Sequence, residues 1–346
     1  MNMRKKPLII ADNQIPYLEG IPERYARIVR MPYHRIDASA LRCADALLVR
    51  TRTLCSKELL QGSSVTFVGS PTIGTDHIDL DYCATANIAV AHAPGCNAGA
   101  VMQYVFTALA VAATQKNMCL SDKTIGIVGV GNVGSRVERL AGHLGMKTLL
   151  NDPPRAAQEG VDSFCSLDFL LSKADVVTLH VPLDATTRGM ADRSFFDKMK
   201  EGAFFINTSR GDVTNEQALQ AAAPGLGAVV LDVWQNEPHI DKKTLDATHI
   251  ATPHLAGYSM EGKRNATETV VRALAAHFQW EELLQYAVTL PSVEEVPSHA
   301  LFTQCFPIME EDKRLRSAPD LFEEQRNAYV YRREWTREQY NALTFC

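Results

Sequence analysis

The chain has 346 residues, 46% hydrophobic and 22% charged, with a formal net charge of −5. This length exceeds what one hydrophobic core usually organises, so two or three domains are predicted, and the mild acidity argues against a nucleic-acid or membrane surface. No apolar run approaches the roughly 20 residues of a membrane helix, and the opening MNMRKKPLIIAD lacks the features of a signal peptide.

Eight cysteines are scattered along the chain, at positions 43, 55, 83, 96, 119, 165, 305 and 346. They form no C-x-x-C pair and no metal-ligand spacing, so we predict no metal site. Isolated thiols suit a reducing compartment better than a disulfide framework. We therefore expect a cytoplasmic protein.

The first quarter of the chain alternates short β-rich runs with helical segments. Candidate strands lie at 7–12, 46–50, 65–70 and 88–93. The helical segment 56–62 begins with a serine that can cap it and ends at a glycine. This alternation predicts parallel strands joined by helical crossovers.

A long helical run at 98–115 leads into a second alternating series, which a helix at 260–278 closes. Its candidate strands lie at 124–129, 146–152, 175–181, 203–209, 227–233 and 249–252. Most are continuous apolar runs, as in sheets that are covered on both faces. We predict the α/β class with two Rossmann-like, doubly wound domains, one from 1–97 with 260–286 and one from 98–259. The crevice between two such domains is the natural ligand site.

The sequence changes character from about Pro291. The stretch PSVEEVPSHALF is rich in turn residues, and LFEEQRNAYVYRREW is dense in charges and aromatics. Phe322 and Tyr329 are seven residues apart, which predicts one helical stripe over 321–335. Such a stripe packs either on its own domains or across a two-fold axis. Self-complementary pairs are the commonest oligomers, but the spacing alone leaves both arrangements open.

A glycine motif marks a candidate cofactor site. Gly129, Gly131 and Gly134 form G-x-G-x-x-G directly after an apolar strand and at the start of a helix. The first glycine permits a tight turn, the second lets the backbone approach a pyrophosphate, and the third allows close packing of helix on strand. Glycine-rich turns are common, but here the flanking strand and helix favour a dinucleotide site.

An acidic residue, Asp152, ends the next strand 18 residues after Gly134. A carboxylate at this position accepts hydrogen bonds from the adenosine ribose and repels a 2′-phosphate, so we predict NAD rather than NADP. The alternative is that Asp152 merely opens the turn that the two following prolines continue.

Three polar residues follow consecutive strands of the second series, namely Arg210, Glu237 and His254. Arginine can hold a carboxylate through two parallel hydrogen bonds, and histidine can take a hydroxyl proton as hydride leaves. A glutamate bonded to that histidine fixes its tautomer. Singly, they could be a surface turn residue, a residue before a proline and a capping residue. Their joint placement favours a catalytic set for a 2-hydroxy acid.

These stretches resemble the D-2-hydroxyacid dehydrogenases. GIVGVGNVG, INTSRGDV, LDVWQNEP and TPHLAGYSMEGK occur in that family's order and spacing, and the likeness covers roughly residues 7–280. The resemblance implies that Arg210 orients the substrate, Glu237 partners the histidine and His254 donates or accepts the proton. It also implies that the second domain binds NAD and that the first contacts the substrate. The tail stretch RNAYVYRREW resembles a C-terminal dimerisation domain, so we predict a small domain of this kind at 287–346, in a homodimer.

The resemblance extends to further site residues and to a phosphorylated 2-hydroxy acid substrate. Predicted substrate contacts are Thr51, Ser70 and Tyr258. A phosphate requires a basic group, for which Arg50 is the first candidate and Arg52 the second, although an arginine at a strand end is often only a solvated charge. Besides the three glycines and Asp152, the predicted cofactor contacts are Asn132, Val133, Thr178, Thr208, Ser209, Asp232 and Gly257. Phosphoglycerate dehydrogenase, hydroxypyruvate reductase and a non-catalytic NAD-sensing protein remain open as alternatives, because fold alone does not decide function.

Overall fold

The computed structural model describes residues 6–21, 23–292, 296–297 and 300–345. The start of the basic opening and parts of the turn-rich stretch after residue 290 lie outside the described residues. The chain divides into two compact units: unit 1 comprises 1–97 with 260–292, and unit 2 comprises 98–259 with 293–346. Elements are numbered in chain order through both units.

Unit 1 is built on a parallel sheet with the order β2-β1-β3-β4-β5. Its strands are β1 (Leu8–Asp12), β2 (Arg27–Met31), β3 (Ala46–Leu48), β4 (Phe67–Ser70) and β5 (Ala89–His92). Its helices are α1 (Ala38–Leu41), α2 (Lys57–Leu60), α3 (Leu80–Thr85) and α11 (Met260–Phe278). Strand β2 escaped the sequence analysis, because an edge strand with only half-buried apolar positions gives a weak pattern.

Unit 2 carries a second parallel sheet with the order β11-β10-β9-β8-β6-β7. Its strands are β6 (Thr124–Val128), β7 (Lys147–Asn151), β8 (Val176–Leu179), β9 (Phe204–Asn207), β10 (Ala228–Leu231) and β11 (Ile250–Ala251). Its helices up to residue 259 are α4 (Ala98–Gln115), α5 (Gly134–His143), α6 (Pro153–Glu159), α7 (Leu167–Lys173), α8 (Arg193–Asp197), α9 (Glu216–Ala222) and α10 (Lys242–Ala247).

The strands of unit 2 are buried on both faces, which explains their continuous apolar sequences. In β9, Phe204 and Ile206 face the core that α4 and α5 cover, whereas Phe205 faces a core on the opposite side. Two parallel sheets with helical crossovers confirm the predicted α/β class and its Rossmann-like halves.

Helix α4 is a core helix of unit 2. Within the described residues it is the one helix long and apolar enough to cross a membrane by length and composition, and 72% of it is buried inside the protein. The expectation that no apolar run approaches the roughly 20 residues of a membrane helix did not anticipate this 18-residue helix. The apolar surface of α4 is accounted for by the sheet against which it packs.

The C-terminal residues pack within unit 2. They form α12 (Leu301–Gln304), α13 (Ile308–Ser317), α14 (Phe322–Ala328) and α15 (Arg337–Asn341). Phe306 and Phe322 are almost fully buried in its two cores. A separate dimerisation domain stays a prediction.

The predicted helical stripe over 321–335 was wrong in length. Helix α14 ends at Ala328, and the chain is then extended until it forms a parallel bridge between Arg332 and Ser259. Phe322 and Tyr329 consequently contact different cores instead of sharing one face. Tertiary contacts of the 329–335 segment outweigh its helical spacing.

Candidate active site

A glycine loop joins β6 to α5. Gly129 has a φ of +87°, and a Cβ there would lie 2.6 Å from the carbonyl oxygen of His180. A Cβ on Gly134 would lie 2.1 Å from the carbonyl oxygen of Gly129. A Cβ on Gly131 would meet nothing within 4 Å. The fold thus requires the first and third glycines, while the second leaves space beside the backbone, as an approaching phosphate needs.

The helix end behind this loop fits an anion. Helix α5 has ten residues, and no side-chain hydrogen bond caps its first turn at Val133. Its N–H groups therefore offer partial positive charge next to the exposed Asn132. The loop also lies at the switch point of the sheet, since β7 and β8 flank β6 on opposite sides. The residues present fit a dinucleotide pyrophosphate.

Asp152 is held against the glycine loop. Its Oδ2 accepts a hydrogen bond from the Val130 N–H at 2.7 Å, and its Oδ1 accepts one from the Arg155 N–H at 3.0 Å as the N-cap of α6. The structural and the cofactor interpretations are thus compatible, because each carboxylate oxygen can accept more than one hydrogen bond. Contact with the ribose stays a prediction.

Three further predicted cofactor residues lie in or after neighbouring strands of this sheet, and two of them, Thr178 and Thr208, contact His180. Thr178 lies in β8, where its Oγ1 is 3.1 Å from His180 Nε2, and the Thr208 Oγ1 is 3.5 Å from the Nδ1 of the same ring. Burial lowers the pKa of His180 to about 3, so the ring is neutral at working pH. Ser209 is buried, and its hydroxyl donates to Asn207 Oδ1 at 2.7 Å. Ser209 therefore shapes the loop after β9.

The central feature of the site is a hydrogen bond between His254 and Glu237. The Nδ1 atom of His254 lies 2.8 Å from Glu237 Oε2, and both side chains are partly exposed. Glu237 Oε1 accepts the Trp234 N–H at 3.0 Å, which fixes the carboxylate on its own loop. A carboxylate at Nδ1 makes that nitrogen the donor and leaves Nε2 as the proton acceptor.

Asp232 holds the loop that carries His254. Its side chain is 1% exposed and accepts hydrogen bonds from Thr252 Oγ1 at 2.6 Å, the Leu255 N–H at 2.6 Å and the Ala256 N–H at 2.9 Å. Its carbonyl accepts the His254 N–H at 2.8 Å. His254 has a φ of 58°, a left-handed conformation that is unfavourable for a non-glycine residue and that this loop maintains.

Arg210 belongs to a neighbouring loop that packs against the Glu237 loop. It follows β9, which pairs with β10, so its loop leaves the same edge of the sheet. A Cβ on Gly211 would lie 2.0 Å from the backbone of Trp234, so only glycine permits this approach. Arg210 is half-buried, and its Nη1 donates to the Ser209 carbonyl at 2.8 Å. The guanidinium is thus oriented on the edge that bears the His254–Glu237 pair.

Opposing effects act on the two carboxylates. Burial alone raises the pKa of Glu237, but the charge and hydrogen bond of His254, the Trp234 N–H and the charge of Arg326 together lower it. Glu237 is therefore ionised at neutral pH and stabilises an imidazolium on His254. Burial is also the largest effect at Asp232, and there it raises the pKa despite the charge of His254 and the three donors.

The remaining predicted substrate residues divide between the units. In unit 1, Thr51 is exposed, the Nε of Arg50 donates to the buried Asp12 Oδ2 at 3.2 Å, and Ser70 is fully buried, with its hydroxyl 2.9 Å from His77 Nε2. In unit 2, Tyr258 is half-buried, as is the preceding residue Gly257, a predicted cofactor contact. The structure gives Ser70 a bracing role, and substrate contact by its hydroxyl stays a prediction.

Two supporting features escaped the sequence analysis. Asp232 appeared only as a cofactor contact, although its carboxylate organises the His254 loop. Arg326 was missed, and its guanidinium carbon lies 5.5 Å from the centre of the Tyr258 ring. The first could have been suspected from an aspartate directly after an apolar strand. The second depends on the fold of the C-terminal segment, for which spacing gives no signal.

Among the described residues, no group of three or more His, Cys, Asp or Glu could hold a metal ion.

Known sequences match this arrangement. The D-isomer specific 2-hydroxyacid dehydrogenase, NAD binding domain, matches residues 106–256. Over 338 residues, the chain is 42% identical to an erythronate-4-phosphate dehydrogenase of Bacteroides fragilis, with 94% of this chain and 97% of that protein covered. A Salmonella paratyphi B protein of the same name is 39% identical over 349 residues, with 95% and 92% covered. The family match contains the glycine loop and the Arg210, Glu237 and His254 positions.

Solved structures share the fold. The D-lactate dehydrogenase of Aquifex aeolicus, complexed with NAD and lactic acid, is 26% identical with a TM-score of 0.64, and the match covers 82% of this chain and 100% of that one. The TT0316 protein of Thermus thermophilus is 26% identical with a TM-score of 0.69, and the match covers 78% and 96%.

The position of Asp152 predicts the choice of nucleotide. Asp152→Ala should weaken NAD binding about tenfold and narrow the preference over NADP, because it removes a ribose acceptor and a repulsive charge. Asp192 is a matched control, since it caps α8 through an equivalent hydrogen bond. Both variants should lose about 1 kcal/mol of unfolding free energy. Calorimetric titration with both nucleotides measures the effect, and an unmodified protein that binds NADP as tightly as NAD would contradict the role of Asp152.

Proposed function

Since this chain belongs to the erythronate-4-phosphate dehydrogenases, within the D-isomer-specific 2-hydroxyacid dehydrogenase family, we propose that it oxidises 4-phospho-D-erythronate to 2-oxo-3-hydroxy-4-phosphobutanoate. It is an NAD-dependent oxidoreductase. We assign the reaction to pyridoxine 5′-phosphate (vitamin B6) synthesis in the cytoplasm. Two relatives of that name, each matched over more than nine-tenths of its length, support this choice of substrate.

The observation that carries the proposal is the 2.8 Å contact between His254 Nδ1 and Glu237 Oε2. It presents Nε2 as a base for the C2 hydroxyl of the substrate, and the ionised Glu237 stabilises the imidazolium that forms. Bound NAD supplies the acceptor for the hydride that leaves C2. The hydroxyl proton goes to His254 and the C–O bond becomes a carbonyl, so one hydride and one proton leave the alcohol.

Arg210 suits the substrate carboxylate. Its guanidinium is planar and always charged, and it can bind both carboxylate oxygens while Nη1 keeps its bond to the Ser209 carbonyl. A carboxylate fixed in this way sets the position of C2, since the two carbons are directly bonded. The chemistry therefore requires a 2-hydroxy acid rather than a simple alcohol.

A substrate comparison tests the proposal. With NAD-loaded protein, NADH absorbance should rise with 4-phospho-D-erythronate, and kcat/KM should exceed that for D-3-phosphoglycerate or D-glycerate by about 100-fold. Equal or better turnover of D-3-phosphoglycerate would instead indicate a phosphoglycerate dehydrogenase. Tight NAD binding without turnover of any 2-hydroxy acid would indicate a sensor.

Replacement of the histidine's partner should change both rate and pH dependence. Glu237→Gln should lower kcat/KM roughly 100-fold. The acid limb of its pH profile should move to lower pH, because the imidazolium loses its counter-charge. Glu216→Gln is the matched control. Glu216 also accepts a backbone N–H from the loop that carries Glu237, that of Gln235 at 2.8 Å. Its rate should change less than about threefold. The same pH profile in both variants would contradict the pairing.

We also propose that the protein is a homodimer that forms through its C-terminal segment. Most large apolar groups of that segment are buried in its own unit, but Leu321 is 50% and Val330 83% exposed. Two exposed apolar side chains close together in the chain suit a self-complementary contact.

Charged substitutions test this interface without removing core residues. Val330→Lys with Leu321→Lys should weaken the dimer at least about tenfold, because the charges must be desolvated. Val161→Lys is the control, since Val161 is 72% exposed but lies outside the C-terminal segment, 293–346. Sedimentation velocity over a concentration series measures the mass. An unmodified protein that is monomeric throughout would contradict the proposal, and a dimer that resists the double substitution would place the interface elsewhere.

A further inference from the structure

A buried arginine of the C-terminal segment contacts the loop that carries the catalytic histidine. Arg332 lies in the extended stretch after α14, and its backbone forms a parallel bridge with Ser259. Its side chain is 7% exposed. A fully charged group is rarely buried to this extent unless its donors are all used.

The guanidinium of Arg332 donates to four backbone carbonyls. Nη1 bonds the carbonyls of Leu255 at 3.1 Å and Tyr258 at 3.0 Å, while Nη2 bonds those of Ala256 at 2.6 Å and Ala100 at 2.8 Å. The Arg332 Nε also donates to Gln103 Oε1 at 3.3 Å. Three of the four carbonyls belong to the loop that follows His254.

The flat face of the guanidinium is covered as well. Its central carbon lies 4.3 Å from the centre of the Phe306 ring, which is itself buried. Arginine can stack on an aromatic ring and donate in its own plane at the same time, whereas lysine is a point donor. This position therefore uses the fork of arginine and not only its charge.

Asp232 also binds two of these three loop residues. Leu255 and Ala256 donate their N–H groups to the Asp232 carboxylate and offer their carbonyls to Arg332. A buried aspartate and a buried arginine thus both bind the same short backbone segment, one through its N–H groups and the other through its carbonyls.

The hydrogen bonds of Leu255 and Ala256 also restrict His254, the residue that precedes them. His254 is joined directly to Leu255 and is held in the left-handed region at φ 58°. Such a conformation costs about 1 kcal/mol or more and persists only when surrounding contacts impose it. A shift of Leu255 and Ala256 would rotate the His254 ring relative to Glu237, and displacement of a catalytic group by about 1 Å can cost roughly 100-fold in rate.

We propose that Arg332 is a positioning residue for His254, through which the C-terminal segment sets the catalytic geometry. The inference rests on the proposed function only in taking His254 as the proton acceptor. It assigns to the C-terminal segment a part in proton transfer in addition to any part in dimer formation.

Arg332→Lys in the full-length protein tests the proposal. This variant keeps the charge but cannot reach four carbonyls. We expect it to fold, to bind NADH within about threefold of the unmodified protein, and to lose roughly 100-fold in kcat with little change in KM.

Arg316→Lys is the matched control. Arg316 also belongs to the C-terminal segment and donates to two backbone carbonyls of unit 2, those of Leu245 at 2.9 Å and Thr248 at 2.6 Å, which lie outside the 254–258 loop. The melting temperature of Arg316→Lys should fall by about as much as that of Arg332→Lys. Its kcat should stay within about threefold of the value for the unmodified protein. A second variant, Arg332→Ala, should recover part of its kcat when guanidinium is added.

A substrate-independent measurement separates this inference from the choice of substrate. Amide hydrogen exchange of the peptide spanning 250–259 should be faster in Arg332→Lys and unchanged in Arg316→Lys, whichever 2-hydroxy acid is the substrate. Failure of the unmodified protein to oxidise 4-phospho-D-erythronate would overturn the proposed function and leave this result standing. A folded Arg332→Lys with unmodified kcat and unmodified exchange would overturn the positioning role.

Discussion

The active site depends on the hydrogen bonds that Asp232 accepts from the loop after β11. This carboxylate lies directly after β10 and binds the N–H groups of Leu255 and Ala256 together with the hydroxyl of Thr252. Because parallel strands end at one edge of the sheet, the loop after β11 is brought next to the loop after β10. The contact between His254 and Glu237 follows from that arrangement.

The glycine loop and the His254–Glu237 pair are built differently, although both lie on the sheet of unit 2. At the glycine loop, a Cβ on Gly129 or Gly134 would clash with backbone, while Gly131 leaves open space, so the predicted binding element is the backbone itself. At the other end of the sheet, charged side chains do the work and the backbone must be held for them. Asp232 and Arg332 are both buried and both bind the 255–258 backbone, where an unsatisfied donor would cost about 1–3 kcal/mol.

Much of this was readable in the sequence, because parallel strands covered on both faces leave long apolar runs. The strands of unit 2, helices α4 and α11 and the triple of Arg210, Glu237 and His254 all follow from apolar runs, glycine spacing and position after strands. What could not be read depends on contacts between residues far apart in the chain. Arg332 is joined to Ala100 across 232 residues, and no local pattern predicts such a bond. The same contacts end α14 early, where spacing alone favoured a longer helix.

The central claim is that Glu237 holds His254 with a proton on Nδ1 and a bare Nε2 ready to accept the hydroxyl proton of the substrate. Nitrogen NMR of protein labelled at histidine, with NAD bound and at neutral pH, reports this tautomer directly. The account predicts that the His254 signals show a protonated Nδ1 and an unprotonated Nε2, and that Glu237→Gln perturbs these signals. A proton on Nε2 with a bare Nδ1 would contradict the account, because Glu237 would then not set the tautomer and His254 could not act as the base.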